Sequence, residues 1–132
     1  MPIEITMKAK KLGLHTIAVT SLAHSKNVSS RHSSGKKLYE LVDIVLDTDT
    51  PFGDACMNFK GLSMKAGPAS TVLGAAILNS IMVKAIQYIL DKGETPPILM
   101  SANIDGSDEH NTRIVEHYGR LSLSMGLYSK TY

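Results

Sequence analysis

The segment that most restricts the fold is a long apolar helix predicted over residues 70–91, between Pro68 and Gly93. Its 22 residues would extend about 33 Å at a rise of about 1.5 Å per residue. Its first half, residues 72–78, is apolar on every side, which is typical of a helix buried against other elements. A membrane span is the alternative, and we reject it because four polar side chains interrupt the segment: Asn79, Ser80, Lys84 and Gln87. The fold must therefore supply apolar cover for this helix.

Two short apolar segments, residues 15–20 and 42–47, are predicted to be strands, with residues 98–103 as a weaker third candidate. The remaining predictions are helices at 3–12, 35–41 and 111–118 and irregular segments at 21–34 and 48–67. Helices that alternate with strands predict an α/β fold with a parallel sheet flanked by helices. Parallel strands need cover on both faces and neighbours at their edges, so two or three make a poor sheet on their own. We therefore expect part of a doubly wound fold.

Charge is distributed unevenly along the chain, although the net charge is only +2. Between Glu4 and Glu40 there is no acidic residue, while the same stretch holds seven lysines and arginines and three histidines. A local basic region of this kind attracts anions, which include phosphorylated small molecules. The single cysteine cannot form an internal disulfide, which favours a reducing compartment and predicts a cytoplasmic protein.

The first candidate site is the polar segment 21–34, in which six of the 14 residues are serine. It follows a predicted strand, and open α/β sheets bind ligands beyond the carboxyl ends of their strands. Hydroxyl groups and cations are suitable donors to a phosphate, and histidines can exchange protons near neutral pH. The alternative is a flexible serine-rich loop without a ligand, and the sequence favours neither reading.

Two further segments carry weaker signals. Ser70 and Thr71 open the long helix, where free N–H groups favour an anion, although plain N-capping is the more common role of such residues. Residues 101–111 gather carboxylates, amides and a histidine, and Asp105, Glu109 or His110 could act there as a general base or bind a sugar hydroxyl. Asp108 as a helix cap is the simpler interpretation. The spacing fits neither a calcium loop nor a zinc helix, so no metal and no cofactor is expected.

Several strings together resemble a known family. Residues 13–21, 35–47 and 67–72 are similar to the second half of a sugar isomerase (SIS) domain. Four narrower strings resemble a bacterial SIS family grouped with phosphosugar isomerases: residues 19–26, 30–36, 99–103 and 105–111. The resemblance implies that residues 1–120 are the C-terminal portion of a flavodoxin-like SIS sheet whose N-terminal strands are missing. Residues 121–132 are then expected to form a loose tail.

The SIS resemblance implies binding of a phosphorylated sugar, commonly by a homodimer or other oligomer. If an isomerase-type reaction occurs, it needs acid and base groups, for which we expect His24, His32, Glu109 and His110. The expected donors to the phosphosugar are Ser21, Ser25, Arg31, Ser33, Ser34, Ser70 and Thr71.

The alternative function is a truncated, non-catalytic remnant, or a chain that completes its fold only with a partner. Its motivation is the apolar helix, which needs more sheet than the two convincing strands supply. Nucleic acid is not an expected partner, because the aromatic fraction is 5% and no binding motif is found. A membrane is not expected either, since the long helix is interrupted by polar side chains.

Overall fold

A computed structural model describes residues 1–124 of the chain, with side chains described as far as Tyr118. It divides the chain into two compact units, Met1–Val83 and Lys84–Tyr132. Four helices and four strands are present in the described residues: α1 (Pro2–Lys11), β1 (Ile17–Thr20), α2 (Leu22–Lys26), β2 (Ile44–Asp47), β3 (Ala55–Met57), β4 (Ala66–Pro68), α3 (Ser70–Asp91) and α4 (Ser107–Ser124). A short 3-10 helix, Leu38–Glu40, lies between α2 and β2. The architecture is mixed α/β, as predicted at that level.

The two strands predicted from apolar segments are confirmed, and they pair with each other. β1 and β2 run parallel, with Ile17 opposite Ile44 and Thr20 opposite Asp47. Ala18 in β1 is buried, at 4% exposure, and is the one buried apolar residue of the described part of the first unit. The remaining side chains of both strands are at least partly exposed, so this sheet is only half covered.

The prediction that residues 48–67 are irregular was wrong, because they contribute to a second sheet. β3 and β4 pair antiparallel, with Ala55 opposite Pro68 and Met57 opposite Ala66. Each strand has only three residues, which is too short to produce a recognisable alternation of apolar and polar positions. Gly67 has a φ of +71°, and a Cβ there would lie 3.2 Å from Cγ of Met57, so glycine is the residue that this close approach allows.

Asp43 connects the elements that surround the start of the parallel sheet. Its Oδ2 accepts hydrogen bonds from the backbone N–H of Thr16 at 2.8 Å and from Oγ1 of Thr16 at 2.7 Å. Its Oδ1 accepts from Nζ of Lys10 in α1 at 2.8 Å, and Lys10 also donates to the carbonyl of Leu41 at 2.7 Å. The hydrogen bond from Lys10, followed by those from Thr16, holds the pKa of Asp43 well below its usual range. One carboxylate therefore fixes α1 and β1 relative to β2.

Helix α3 has the predicted bounds, but the expectation that it is buried was wrong. None of its 22 residues is buried. Gly74 faces β1, since a Cβ at that position would lie 3.7 Å from Cγ1 of Val19. Only Ala18 and Pro96 are buried apolar residues in the described part of the chain, so the helix packs against no buried core there. By length and composition alone, α3 is also apolar enough to cross a membrane.

The second unit lacks the third strand predicted at 98–103. The backbone of Met100 is instead bonded to a side chain of α4: its N–H donates to Oδ1 of Asn111 at 2.8 Å, and its carbonyl accepts from Nδ2 at 3.0 Å. These bonds satisfy groups that a neighbouring strand would otherwise pair. The helix predicted at 111–118 is confirmed and is longer, since α4 begins at Ser107 and continues to Ser124. The rest of the predicted loose tail, residues 125–132, lies outside the described residues.

Candidate functional site

A cleft of about 460 Å³ opens at the carboxyl ends of β1 and β2. Open parallel sheets bind ligands at this position, because loops and helix starts converge there. Six hydroxyl side chains line the cleft: Thr20, Ser21, Thr48, Thr50, Ser70 and Thr71. Its titratable lining groups are one imidazole, His24, and one carboxylate, Asp54. All lining residues belong to the first unit.

Ser21 joins the first strand to the cleft. Its Oγ accepts a hydrogen bond from the N–H of His24 at 3.0 Å and so caps the five-residue helix α2. The same hydroxyl donates to the carbonyl of Thr50 at 2.6 Å, which attaches this loop to the segment after β2. Thr50 is 1% exposed, and its Oγ1 lies 3.1 Å from Oγ1 of Thr48. The hydroxyl groups of Ser21, Thr48 and Thr50 are therefore held by hydrogen bonds, which fixes their positions.

We expect Ser21→Ala to lower the free energy of unfolding by about 1 kcal/mol, the usual effect of losing an N-cap side chain. Ser33→Ala is the matched control, since Ser33 is an exposed residue of the same serine-rich segment. Urea unfolding followed by circular dichroism measures both. Equal midpoints for the two variants would show that the Ser21 contacts contribute nothing to stability.

His24 is oriented by two contacts. Its Nδ1 accepts a hydrogen bond from the N–H of Gly53 at 3.2 Å, and its ring stacks on Phe52 with a centroid separation of 5.4 Å. Because a backbone N–H can only donate, Nδ1 carries no proton in this arrangement, and the proton of the neutral ring lies on Nε2. His24 therefore presents a donor at Nε2, suited to a phosphate or a sugar oxygen. Its other nitrogen, Nδ1, already accepts the hydrogen bond from Gly53.

Asp54 occupies the N-terminus of α3. Its Oδ1 accepts from the N–H groups of Ala69 and Ser70, at 3.2 and 2.8 Å, and its Oδ2 accepts from Oγ of Ser70 at 2.6 Å. The hydroxyl of Ser70, followed by the backbone donors, lowers the pKa of Asp54. Asp54 is therefore anionic near neutral pH and holds the position at which the sequence predicts a phosphate.

A second carboxylate, Asp47, supports the rim of the cleft. Its Oδ1 accepts from the N–H groups of Leu22 and Asp49, both at 3.0 Å. These bonds, that from Leu22 first, lower the pKa of Asp47, and the charge of Lys26 adds to the effect. Lys26 thus contributes positive potential beside the carboxyl ends of the two strands.

Four of the predicted site residues line the cleft: Ser21, His24, Ser70 and Thr71. Ser25 lies next to it, with Oγ 3.0 Å from Oγ1 of Thr20. Of these residues, Ser70 donates its hydroxyl to Asp54, so it could donate to a phosphate only after that bond is broken. Thr71 is exposed at the cleft and is the better placed hydroxyl of this pair.

Other predicted residues of the serine-rich segment lie elsewhere. Arg31 and His32 line a different cavity, of about 310 Å³, together with Leu38 and the first residues of the chain. The N–H of Ser34 donates to Nδ1 of His32 at 3.2 Å, and Oγ of Ser34 lies 2.8 Å from the same nitrogen. Ser33 is exposed. This part of the segment bonds to itself instead of turning its donors into the cleft.

Glu109 and His110 belong to the second unit, in the first turn of α4. Nε2 of His110 lies 2.9 Å from the carbonyl oxygen of Ile98 and donates to it. This contact gives His110 a structural role within its own unit. Within residues 1–124, no three metal-ligating side chains come together.

Sequence reasoning missed three threonines and one aspartate of the cleft. Thr20 ends the first predicted strand, and Thr48 and Thr50 lie within three residues of the end of the second, so the rule that placed Ser21 at the site could have found them as well. Asp54 gave no such signal. It accepts a hydrogen bond from the start of α3, 16 residues further along the chain, so no local sequence pattern connects the two.

No family model matches the chain. It is similar to UPF0309 proteins from several bacteria. It is 46% identical over 118 residues to one from Geobacillus thermodenitrificans, which covers 89% of this chain and 47% of that protein. A relative from Geobacillus kaustophilus is 48% identical over 118 residues, with the same coverage. One from Streptomyces coelicolor is 41% identical over 119 residues, or 90% of this chain and 47% of that protein. The chain spans about half the length of the curated relatives it matches.

Proposed function

We propose that the cleft binds a phosphorylated sugar, within a fold that is part of a flavodoxin-like SIS domain. The observation that supports this most is the set of six hydroxyl groups at the carboxyl ends of two parallel strands. Sugar hydroxyls both donate and accept, so a lining of hydroxyls with one carboxylate matches them. The Nε2 donor of His24 and the nearby charge of Lys26 favour the phosphate at the end of the cleft formed by α2.

We propose that this chain binds the sugar phosphate and does not catalyse its isomerisation. An aldose–ketose isomerase needs a base that removes a proton from carbon. In the cleft, Nδ1 of His24 is occupied by Gly53, and both oxygens of Asp54 are bonded at the start of α3. No other titratable side chain lines the cleft in the described part of the chain. Because His24 and Asp54 already accept these hydrogen bonds, a non-catalytic chain, the alternative offered by the sequence, is favoured over an isomerase.

Thr71→Val is expected to weaken binding of a sugar phosphate about three- to tenfold, the equivalent of one hydrogen bond of about 1 kcal/mol. Valine keeps the shape of threonine and removes only the hydroxyl. A panel of sugar monophosphates, the parent sugars and inorganic phosphate is compared first by thermal shift, and dissociation constants are then measured by calorimetry.

Thr71→Ser is the matched control, since it keeps the hydroxyl and loses only a methyl group, and it should bind nearly as the unchanged protein does. A panel in which no member raises the melting temperature at about 10 mM would contradict the proposed function. Equal affinities of Thr71→Val and Thr71→Ser would show that the Thr71 hydroxyl does not contact the ligand. The proposed function would then depend on the other hydroxyl groups of the cleft.

A further inference from the structure

A tight turn, residues 51–54, connects the two titratable side chains of the cleft. The N–H of Asp54 donates to the carbonyl of Pro51 at 2.9 Å, which closes the turn. Gly53, at its third position, has a φ of +83°, whereas the φ of Phe52 is negative. A closed turn with a positive φ at the third position but not at the second is type II. Its central peptide group, between Phe52 and Gly53, points its N–H at Nδ1 of His24.

The same turn supplies both contacts that orient the imidazole of His24. The ring of Phe52 stacks on it at a centroid separation of 5.4 Å and an interplanar angle of 23°. The N–H of Gly53 donates to Nδ1 at 3.2 Å. Phe52 is 61% exposed and does not line the cleft, so neither burial nor contact with a ligand accounts for its position. Its ring is placed instead to support the imidazole.

The turn is held on both sides. Before it, the carbonyl of Thr50 accepts a hydrogen bond from Ser21 at 2.6 Å. At its end, Asp54 has a φ of +69°, and its carboxylate accepts from the N–H of Ser70 at 2.8 Å. A positive φ is unfavourable for a residue other than glycine and persists where the surrounding contacts require it. With both ends fixed, the orientation of the central peptide decides which group of the turn faces His24.

We propose that the central peptide of this turn sets the preference of the cleft for phosphorylated over unphosphorylated sugars, an inference that rests on the proposed function. With the N–H of Gly53 at Nδ1, the neutral imidazole of His24 carries its proton on Nε2 and donates it to the phosphate. Phe52 holds the plane of the ring. Phe52 and Gly53 are thus positioning residues, which act on the phosphate through His24.

The opposite orientation of the central peptide would reverse the role of His24. A type I turn keeps the same closing hydrogen bond but flips that peptide, which would direct the carbonyl of Phe52 toward Nδ1. Because a carbonyl only accepts, Nδ1 would then take up a proton from water, and Nε2 would release its own to water. Nε2 would become an acceptor and would no longer donate to a phosphate. Selectivity for the phosphate therefore depends on the type II turn, which glycine at position 53 favours.

Gly53→Ala tests the central peptide. Alanine disfavours the positive φ, but a Cβ at this position meets no atom within 4 Å, so the variant favours a type I turn without a clash. We expect the affinity for a sugar monophosphate to fall at least tenfold, the equivalent of one hydrogen bond to a charged group. The affinity for the parent sugar, which lacks the phosphate, should change less than about twofold. Calorimetric titration measures both ligands.

The tautomer of His24 is a readout that a merely structural role of the turn would not change. Long-range proton–nitrogen NMR spectra show which ring nitrogen carries the proton. They are recorded without ligand at about pH 8, where free imidazole is neutral. We expect the proton on Nε2 in the unchanged protein and on Nδ1 in Gly53→Ala. His24→Gln identifies the signals of this ring by their loss.

Gly61→Ala is the matched control for Gly53→Ala. Gly61 has a φ of +89°, and a Cβ there also meets no atom within 4 Å. It occupies the same position of a closed turn, in which the N–H of Leu62 donates to the carbonyl of Phe59 at 3.1 Å. Gly61 does not line the cleft, so this variant should keep the affinities of the unchanged protein for both ligands.

Phe52→Leu tests the same inference with the glycine of the turn unchanged, and it remains informative if Gly53→Ala does not fold. It removes the ring that supports His24 and should weaken binding of the monophosphate about three- to tenfold, with little effect on the parent sugar. Phe52→Tyr keeps an aromatic ring and should restore the affinity of the unchanged protein.

The results separate this inference from the proposed function. If the unchanged protein binds a monophosphate and Gly53→Ala loses no more affinity than Gly61→Ala, the role of the turn is wrong although the proposed function stands. The same holds if His24 keeps its proton on Nε2 in Gly53→Ala, or if Phe52→Leu and Phe52→Tyr bind equally well. If the unchanged protein binds no sugar phosphate, the proposed function is wrong, and the inference is wrong with it.

Discussion

Asp54→Asn is expected to raise the affinity of the cleft for sugar bisphosphates at least tenfold. The Asp54 carboxylate lies at the N-terminus of α3, within 3.2 Å of two backbone N–H groups, where a phosphate would otherwise bind. A ligand phosphate at that end of the cleft meets a like charge, while a sugar hydroxyl can donate to it. The unchanged protein should therefore prefer monophosphates, with their hydroxyls toward Asp54 and their phosphate toward His24.

Asparagine keeps the shape of the side chain and retains an oxygen that can accept from the N–H groups of α3. It removes the negative charge and adds an N–H₂ donor, so the position becomes available to a second phosphate. Calorimetric titration with matched mono- and bisphosphates of one sugar measures the preference. We expect the ratio of the two dissociation constants to change at least tenfold, mostly through tighter binding of the bisphosphate.

Asp49→Asn is the matched control for Asp54→Asn. Asp49 has a φ of +54° and Asp54 one of +69°, and asparagine tolerates both conformations. The two variants therefore lose the same charge from the same segment, but Asp49 does not line the cleft. If both variants gain the same affinity for the bisphosphate, the gain comes from the change in net charge and not from the position of Asp54. If the unchanged protein binds a monophosphate and Asp54→Asn leaves the ratio the same, the role of Asp54 is wrong although the proposed function stands.

The features that the sequence predicted correctly are those that residues close together in the chain determine. The bounds of α3 follow from Pro68 and Gly93, which lie just outside it, and β1 follows from a short apolar segment rich in β-branched residues. The burial of α3 was not predictable in this way, because it depends on which surfaces other parts of the fold supply. A helix that is apolar on all sides indicates only that cover is needed.

The same distinction separates the site residues that were found from those that were missed. Ser21 and His24 lie within four residues of the end of a strand, and that position alone places them at its carboxyl end. Arg31 and His32 were expected beside them because they share one polar segment, but hydrogen bonds within residues 30–36 fold that part of the segment on itself. Asp54 caps a helix that begins 16 residues later, and such long-range pairs leave no local pattern.

Asp43→Asn is expected to lower the melting temperature by several degrees and to make stability less sensitive to acid. Asparagine can still accept from Thr16 through its oxygen, but its N–H₂ group then faces the ammonium of Lys10, donor against donor. Lys10→Met is the matched comparison. It removes the cation and leaves both bonds from Thr16, so it should cost less than Asp43→Asn.

The direction of the pH effect of Asp43 follows from the lowered pKa of its carboxyl. In the folded protein the group ionises below its ordinary pKa of 3.8, so the unfolded chain takes up the proton first as the pH falls. The stability that Asp43 contributes is fully present above about pH 5 and is lost as the pH falls through 3.8 and below. Melting temperatures measured by circular dichroism from about pH 6 to about pH 2 should fall less steeply for Asp43→Asn than for the unchanged protein. Asp47 and Asp54 also have lowered pKa values, so some decline remains. Parallel curves for the two proteins would mean that the contacts of Asp43 do not stabilise the folded state.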